Sequence, residues 1–371
     1  MSKIKILHAA DLHLDSPFQA LSSAKASIRR GEQRELLARL AELAITEEVD
    51  VVLLSGDLLD SATPYTETAQ ELVRHLGSIP APVFIAPGNH DFYSLHSPYA
   101  RVKFPGNVYI FTKNQIEAVA LPRLGINVYG AAFTDSESRG LLCGFHAERE
   151  EGLVNLLCMH GELCAGESHY NPLTEKEIAD SGMDYVALGH VHKASGLKKA
   201  GSVFYSWPGC PEGRGFDECG QKYVNIIELE NGSCELRQLS IASRKYEILR
   251  LDISGSDPVT ALHNALPDDS VSDIYRIIFC GESERAPDLR QLQENFSQLF
   301  FQLQLRDETR IRRSLWENAG EGTLKGLFLS KLKAMYEQST DDNQRIKIEQ
   351  AARWGLAAID NMEEVVCHGG K

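Results

Sequence analysis

Five short apolar runs, each broken off by side chains that bind metals well, constrain this chain more than any other feature of its sequence. The run Ile4–Ala9 leads into Asp11-Leu12-His13, and Val51–Ser55 into Gly56-Asp57-Leu58-Leu59-Asp60. Val83–Ala86 leads into Pro87-Gly88-Asn89-His90-Asp91, Leu153–Met159 into His160-Gly161, and Tyr185–Leu188 into Gly189-His190-Val191-His192. Runs of this length and composition predict strands, as do Asn127–Ala131 and Ser202–Ser206. Between the first two runs, Leu36, Leu37, Leu40, Leu43 and Ala44 recur at helical spacing within Leu21–Glu48. Thr66–Leu76 predicts a second helix, closed by Gly77 and then Pro80 and Pro82. Strand, helix, strand, helix, strand implies an α/β fold with a parallel or mixed sheet covered by helices. Such sheets take ligands at the carboxyl ends of their strands, which is where the Asp, Asn and His residues fall.

Taken singly, each group also reads as a turn or a solvated surface. Asp11 and His13 stand two apart, so an extended backbone would point both the same way, and the adjoining glycines allow tight turns. Together and in this order, they describe a metal site. Carboxylate and amide oxygens mixed with imidazoles suit manganese, iron or zinc better than calcium. Two cations ~3.5–4 Å apart would offset the charge of a phosphodiester and activate a water for attack on it. His8, His75, His96, His146, His169, His263 and His368 fall outside the pattern and read as structural or solvated.

The ordered set resembles the calcineurin-like metallophosphoesterases. Within them it is most similar to the DNA repair exonucleases of the SbcD type, the YhaO-like bacterial proteins included. The opening Ile6–Leu14, the pairing of Gly56–Asp60 with Ala86–Asp91, and the run Tyr205–Glu218 carry that likeness, which covers about Lys3–Glu230. The resemblance implies a layered α/β architecture: a β-sandwich flanked by helices, then a small α+β cap and C-terminal helices. It implies two divalent cations, manganese foremost with iron or zinc as alternatives. Asp11, His13, Asp57 and His192 would hold one, and Asp57, Asn89, His160 and His190 the other, with Asp57 bridging. His90 would be the catalytic residue beside the scissile phosphate, and Arg214 a phosphate contact. Some nucleases of this group carry a histidine three residues after the bridging aspartate; here that place is Asp60, read with Asp91 as a support behind the ligands. The resemblance further implies a DNA substrate, a homodimer for which Phe92–Lys103 is the candidate contact, and a coiled-coil ATPase partner of the SbcC type.

A length of 371 residues suggests two or three domains, divided as 1–240 for the nuclease domain, 241–320 for the cap and 321–371 for the C-terminal helices. Asn231-Gly232 between Tyr223–Glu230 and Cys234–Leu239 is a strong hairpin signal. Beyond it, Tyr246–Ile253, Tyr275–Gly281 and Phe301–Arg306 read as strands, and Pro258–Ala265 and Leu289–Phe300 as helical. Leu324, Leu327, Phe328, Leu332 and Met335 predict an amphipathic helix, followed by another over Ile346–Ile359. The first could dock on the ATPase or pack on its own cap. Arg306, Arg310, Arg312 and Arg313 form a basic cluster that reads equally as a phosphate contact and as a solvated face.

A net charge of −14 argues against indiscriminate coating of nucleic acid, although bound metals would neutralise part of it. It keeps a second reading open, a phosphatase or phosphodiesterase for small nucleotides or phosphoproteins, and a third, a non-catalytic metal-binding scaffold for an ATPase. Eight cysteines with no CxxC pair read as reduced thiols. No apolar stretch approaches the ~20 residues of a membrane span, and the N-terminus lacks a signal-peptide pattern. The expectation is a cytoplasmic protein with no membrane association.

Overall fold

The computed structural model describes residues 3–61, 64–164, 166–267, 270–283, 285–311 and 315–359. Fourteen strands build two mixed six-stranded sheets and a small ladder. In chain order they are β1 (Ile4–Ala9), β2 (Val51–Leu54), β3 (Val83–Ile85), β4 (Val108–Ile110), β5 (Glu117–Leu121), β6 (Ile126–Gly130) and β7 (Val154–His160). There follow β8 (Glu162–Leu163), β9 (Pro172–Leu173), β10 (Tyr185–Gly189), β11 (Lys198–Ala200), β12 (Val203–Ser206), β13 (Val224–Glu230) and β14 (Ser233–Leu239). The first sheet runs β14-β13-β1-β2-β3-β4 and the second β11-β12-β10-β7-β6-β5, while β8 pairs with β9. Both sheets are parallel at their centres; the second is antiparallel at both edges, the first only on the β13–β14 side, since β4 pairs parallel with β3.

Strand alternation explains why the central runs are apolar at every position. Ile4, Ile6, Val51, Leu53 and Phe84 of the first sheet pack with Leu156, Cys158, Tyr185 and Ala187 of the second, forming the layer between the sheets. The residues in between face outward but are buried too. Leu7, Ala9, Val52, Leu54, Val83 and Ile85 pack beneath helices α1 (Ser23–Thr46) and α2 (Thr66–Gly77) through Leu36, Leu37, Leu40, Leu72 and Leu76. On the other side, Leu157, Met159, Val186 and Leu188 pack with Leu173, Ile178 and Met183. Strands covered on both faces have no position for a solvated side chain. The result is the helix-flanked β-sandwich expected from the sequence.

Local differences from the sequence expectations have simple causes. Helix α1 starts at Ser23 rather than Leu21 because Ser22 caps it, accepting a hydrogen bond from the Lys25 amide. At the predicted hairpin, Asn231 and Gly232 have φ of 49° and 80°, and Glu230 pairs with Ser233; positive φ at both central residues is what a tight hairpin turn requires. That hairpin extends the first sheet through β13 and β14. Strands β4 and β5 have no apolar run to announce them, since they are short and only partly buried.

The chain divides into two compact units. Met1–Leu249, Pro267–Arg276 and Asn295–Gln304 make the first, and Arg250–Leu266, Ile277–Glu294 and Leu305–Lys371 the second. Strands Tyr246–Asp252, Ile274–Cys280 and Gln302–Asp307 form a three-stranded sheet in that order. Within the second unit, helices Leu324–Gln338 and Asp342–Ile359 meet where Gly355 lies against the Phe328 ring. Leu329 is buried, whereas Leu324, Leu327 and Met335, three residues of the predicted apolar face, stay exposed. No helix among the described residues is long and apolar enough to cross a membrane.

Candidate metal centre

The carboxyl ends of β1, β2, β3, β7 and β10 open onto one cluster that gathers all eight residues expected from the sequence. Asp11 and His13 follow β1, Asp57 follows β2, and Asn89 and His90 follow β3; His160 ends β7, and His190 and His192 follow β10. Three overlapping groups lie close enough to share a cation: Asp11 with His13 and His192, His13 with Asp57 and His90, and Asp11 with Asp57 and His160. Within each group the ligand atoms lie within 4.8 Å of one another.

The backbone does not present Asp11 and His13 from an extended segment, as their spacing suggests. Asp11, His13, Asp57 and His190 all adopt positive φ, between 44° and 93°. The Asp11 amide donates to the Gly56 carbonyl at 3.0 Å and the His13 amide to the Asp57 carbonyl at 2.9 Å, so the two loops clasp each other through their main chains. Left-handed backbone at non-glycine residues costs about 1–3 kcal/mol each and persists where the surroundings over-determine it. Two glycines make the clasp close-fitting. Gly56 has φ of 88°, and a Cβ there would meet the His160 ring. A Cβ on Gly88 would collide with the Asp57 carboxylate.

Asp91 holds these loops from behind. It is fully buried and accepts hydrogen bonds from the amides of Leu58 at 2.8 Å, Leu59 at 3.2 Å and Gly88 at 2.8 Å, and from the Tyr99 hydroxyl. Asp57 Oδ1 accepts from the His90 amide at 2.9 Å. Asn89 Oδ1 lies 3.0 Å from His160 Nε2 and 3.3 Å from His190 Nδ1. Asp11 accepts from the His190 amide at 3.0 Å.

The far side of most imidazoles is tied to an acceptor. His13 Nδ1 meets Asp60 at 3.1 Å, His160 Nδ1 the Ser55 carbonyl at 2.8 Å, and His192 Nδ1 the Glu218 carboxylate at 2.8 Å. Each ring therefore turns its Nε2 inward, and those of His13 and His192 face each other at 3.2 Å. Two imidazole lone pairs aimed at one point, each with its other nitrogen fixed by an acceptor, is the arrangement that metal-binding histidines adopt.

The electrostatics agree. Burial, helped by the Asp57 charge, pushes Asp11 up to about 6. Burial also acts to raise Asp57, but His160, His13 and His90 outweigh it and hold that carboxyl well below the usual range. Burial lowers His160, yet Asp57 and Asp11 reverse this and raise it to about 9. Burial takes His13 and His190 down to about 4, keeping both rings neutral. The shifts of Asp57 and His160 share one cause, their mutual attraction, and mark a space that favours positive charge, which divalent cations would supply. Buried carboxylates, an amide oxygen and neutral imidazoles converging on one space fit divalent cations of the first transition row.

Arg214, expected as a phosphate contact, donates to Glu218 at 2.6 Å and to Asp60 at 3.2 Å, and its guanidinium reaches His192 Nδ1 at 3.1 Å. Glu218 carries no ligand-like sequence signal beyond standing four residues after Arg214. Of the basic cluster, Arg306 and Arg310 are exposed, and Arg312 and Arg313 lie outside the described residues, as do Cys367 and His368. His8, grouped with the structural histidines, is buried between the sheets.

A family model described as calcineurin-like phosphoesterase matches residues 4–194, a span that includes every one of the eight clustered residues but stops short of Arg214 and Glu218. The chain is 28% identical over 286 residues to the uncharacterized metallophosphoesterase YhaO of Bacillus subtilis (strain 168), covering 72% of this chain and 68% of that protein. It is 24% identical over 271 residues to the DNA double-strand break repair protein Mre11 of Saccharolobus solfataricus, covering 67% and 66%. It is 25% identical over 279 residues to a subunit of the SbcCD nuclease of Escherichia coli (strain K12), covering 62% and 66%. About two thirds of each relative's length is thereby matched.

Proposed function

From the premise that this chain belongs to the calcineurin-like phosphoesterases, we propose that it is a two-cation DNA phosphodiester hydrolase, a nuclease subunit of the SbcD kind. The observation that carries this reading is the position of His90. Its ring is exposed, edge-on to His13 with centroids 4.8 Å apart, and its amide is fixed on the Asp57 carboxylate. A side chain at the open rim of a metal cluster, tethered to the shared carboxylate, is suited to meet the substrate rather than to fold the protein.

In this reading Asp11, His13, Asp57 and His192 hold one cation, and Asp57, Asn89, His160 and His190 the other, manganese being the first choice and iron or zinc the alternatives. When bound, the cations supply a nucleophile at neutral pH and offset the charge of the phosphate. His90 Nδ1 lies 3.2 Å from the Asp60 carbonyl and donates to it, which leaves Nε2 as the nitrogen that would act on the leaving oxygen. Arg214, only 19% exposed and held by Glu218 and Asp60, reaches His192 at 3.1 Å and would touch a phosphate oxygen. Asp60 and Asp91 keep the ligand loops in register.

The names of two relatives, a double-strand break repair protein and a subunit of a nuclease, support DNA as the substrate. They also support assembly with a coiled-coil ATPase of the SbcC type, for which the exposed Leu324, Leu327 and Met335 offer an apolar face. A homodimer through Phe92–Lys103 and a division into domains 1–240, 241–320 and 321–371 belong to the same reading. A net charge of −14 favours the runner-up, a hydrolase of small phosphodiesters.

End-labelled DNA and bis-p-nitrophenyl phosphate, each incubated with manganese and either wild type or His90→Ala, separate these readings. DNA cleavage lost in the variant supports the nuclease. Cleavage of the small diester alone moves the substrate to small phosphodiesters. No hydrolysis of either would leave a metal-binding scaffold.

A further inference from the structure

The two groups of ligands proposed above are backed by different chemistry. In the first, both imidazoles rest on carboxylates, His13 on Asp60 at 3.1 Å and His192 on Glu218 at 2.8 Å. A carboxylate that accepts the Nδ1 proton fixes the tautomer, orients the ring and makes Nε2 a stronger base. Arg214 joins the two supports, with Nη1 3.2 Å from Asp60 Oδ1 and Nη2 2.6 Å from Glu218 Oε1. Its own amide is held by Glu218 Oε2 at 2.8 Å. Two carboxylates and one guanidinium leave this network with a net negative charge, which favours a cation beside it.

The network is anchored from below. Glu212, in the same loop, accepts hydrogen bonds from Arg29 Nη2 at 2.5 Å and from the Ser243 amide at 2.7 Å, all within the first unit. The loop bearing Arg214 and Glu218 is therefore fixed onto α1.

The second group lacks such backing. His160 Nδ1 meets a neutral acceptor, the Ser55 carbonyl. For His190 the nearest carboxylate is Glu162, 3.8 Å from Nε2 and beyond hydrogen-bonding distance. Where the first group has the Asp11 carboxylate, the second has the uncharged amide of Asn89.

Given the two-cation reading, we infer that Glu218 and Asp60, joined through Arg214, are positioning residues that make the Asp11–His13–Asp57–His192 position the tighter of the two, filled before its neighbour. The carboxylates act through the imidazoles and touch neither cation nor substrate.

The full chain, stripped of metal and titrated with manganese chloride, tests this by electron paramagnetic resonance, which distinguishes free, isolated and exchange-coupled manganese. The wild type is expected to bind a first equivalent as isolated manganese and a second, at least about tenfold weaker, that converts the signal to a coupled pair. Glu218→Gln keeps the shape and removes the charge; it should weaken the first position by about 10- to 100-fold and erase the gap, with the second position changed less than about threefold. Asp60→Asn, whose side chain is 24% exposed, should act the same way and serves if the first variant fails to fold, as judged by thermal unfolding of the metal-free protein. Two equal positions in the wild type, or a first position unchanged in a folded variant, would overturn the inference and leave two-cation binding intact. Fewer than two manganese equivalents in the wild type would overturn the two-cation reading itself.

Discussion

His8 of β1 and Tyr185 of β10, one from each sheet, meet in the layer between them through an Nδ1–hydroxyl hydrogen bond of 2.8 Å. The same hydroxyl reaches Ser206 at 2.6 Å, and His8 Nε2 lies 3.2 Å from the Leu188 carbonyl and 3.3 Å from the Ser55 hydroxyl. This buried chain of polar groups ties the sheets together just beneath the metal centre. Ser55 belongs to both, since its carbonyl holds His160 and its hydroxyl reaches His8.

Burial pushes His8 down to about 3, which makes it a source of acid sensitivity. Below its ordinary value of 6.5 the unfolded chain binds a proton that the folded chain refuses. Stability is therefore lost as pH falls from 6.5 toward about 3, with a slope of at most about 1.4 kcal/mol per pH unit. Urea unfolding at pH 7 and pH 5 should show the wild type losing about 2 kcal/mol more than His8→Gln. An equal loss in both proteins would assign the acid sensitivity to other groups.

Gly88→Ala should damage the site while leaving the sandwich folded. The added methyl group has no room beside the Asp57 carboxylate and main chain, so the carboxylate proposed to bridge the cations must move. A misplacement on the scale of 1 Å costs about 100-fold in rate. The expected result is phosphodiester hydrolysis reduced by that order, with an unchanged far-ultraviolet circular dichroism spectrum. Full activity would show that the β3 loop can retreat at little cost.

Arg29 and Glu212 form an ion pair with both side chains fully buried. Removing one partner of a buried pair costs up to about 3–5 kcal/mol, here tempered by the second partners that remain, Glu32 on Arg29 at 2.5 Å and Arg39 at 3.9 Å from Glu212. Arg29→Met and Glu212→Gln should each destabilise by that order, and the double variant by clearly less than the sum. Strict additivity in chemical denaturation would mean that the two side chains are not energetically coupled.

Chelation should remove both activity and stability. A cation that binds only the folded chain adds about 2.7 kcal/mol per site when present at 100 times its Kd. Dialysis against a chelator should lower the thermal midpoint, and added manganese should restore it in a concentration-dependent way. A midpoint indifferent to manganese would count against a metal centre on these residues.

The clustering of the eight residues was legible in the sequence because each follows closely on an apolar run, and because strands buried on both faces stand out from loops. The backing groups were not. Glu218 gains its role only when the chain returns to His192 from a loop beyond β12, and no local spacing records that return. The left-handed turns at Asp11 and His13 were hidden likewise, since they depend on carbonyls of the β2 loop. Strands β4 and β5 escaped notice because edge positions need no continuous apolar run. In the final helices, apolar periodicity located the elements but not the buried side, for Leu329 turned inward while Leu324 and Leu327 did not.

The division of the clustered residues between two sheets also bears on when the site is assembled during synthesis. Asp11, His13, Asp57, Asn89 and His90 come from the first sheet, while His160, His190 and His192 come from the second, with Asp11 receiving a hydrogen bond from a residue 179 positions later. A nascent chain that has emerged only as far as β6 carries Asp11, His13, Asp57, Asn89 and His90 but none of the three histidines from the second sheet. The cluster as a whole is complete only once β10 and the loop after it have left the ribosome. The hydrolysis proposed for this centre, which draws on both sheets, would then begin only when the sandwich closes.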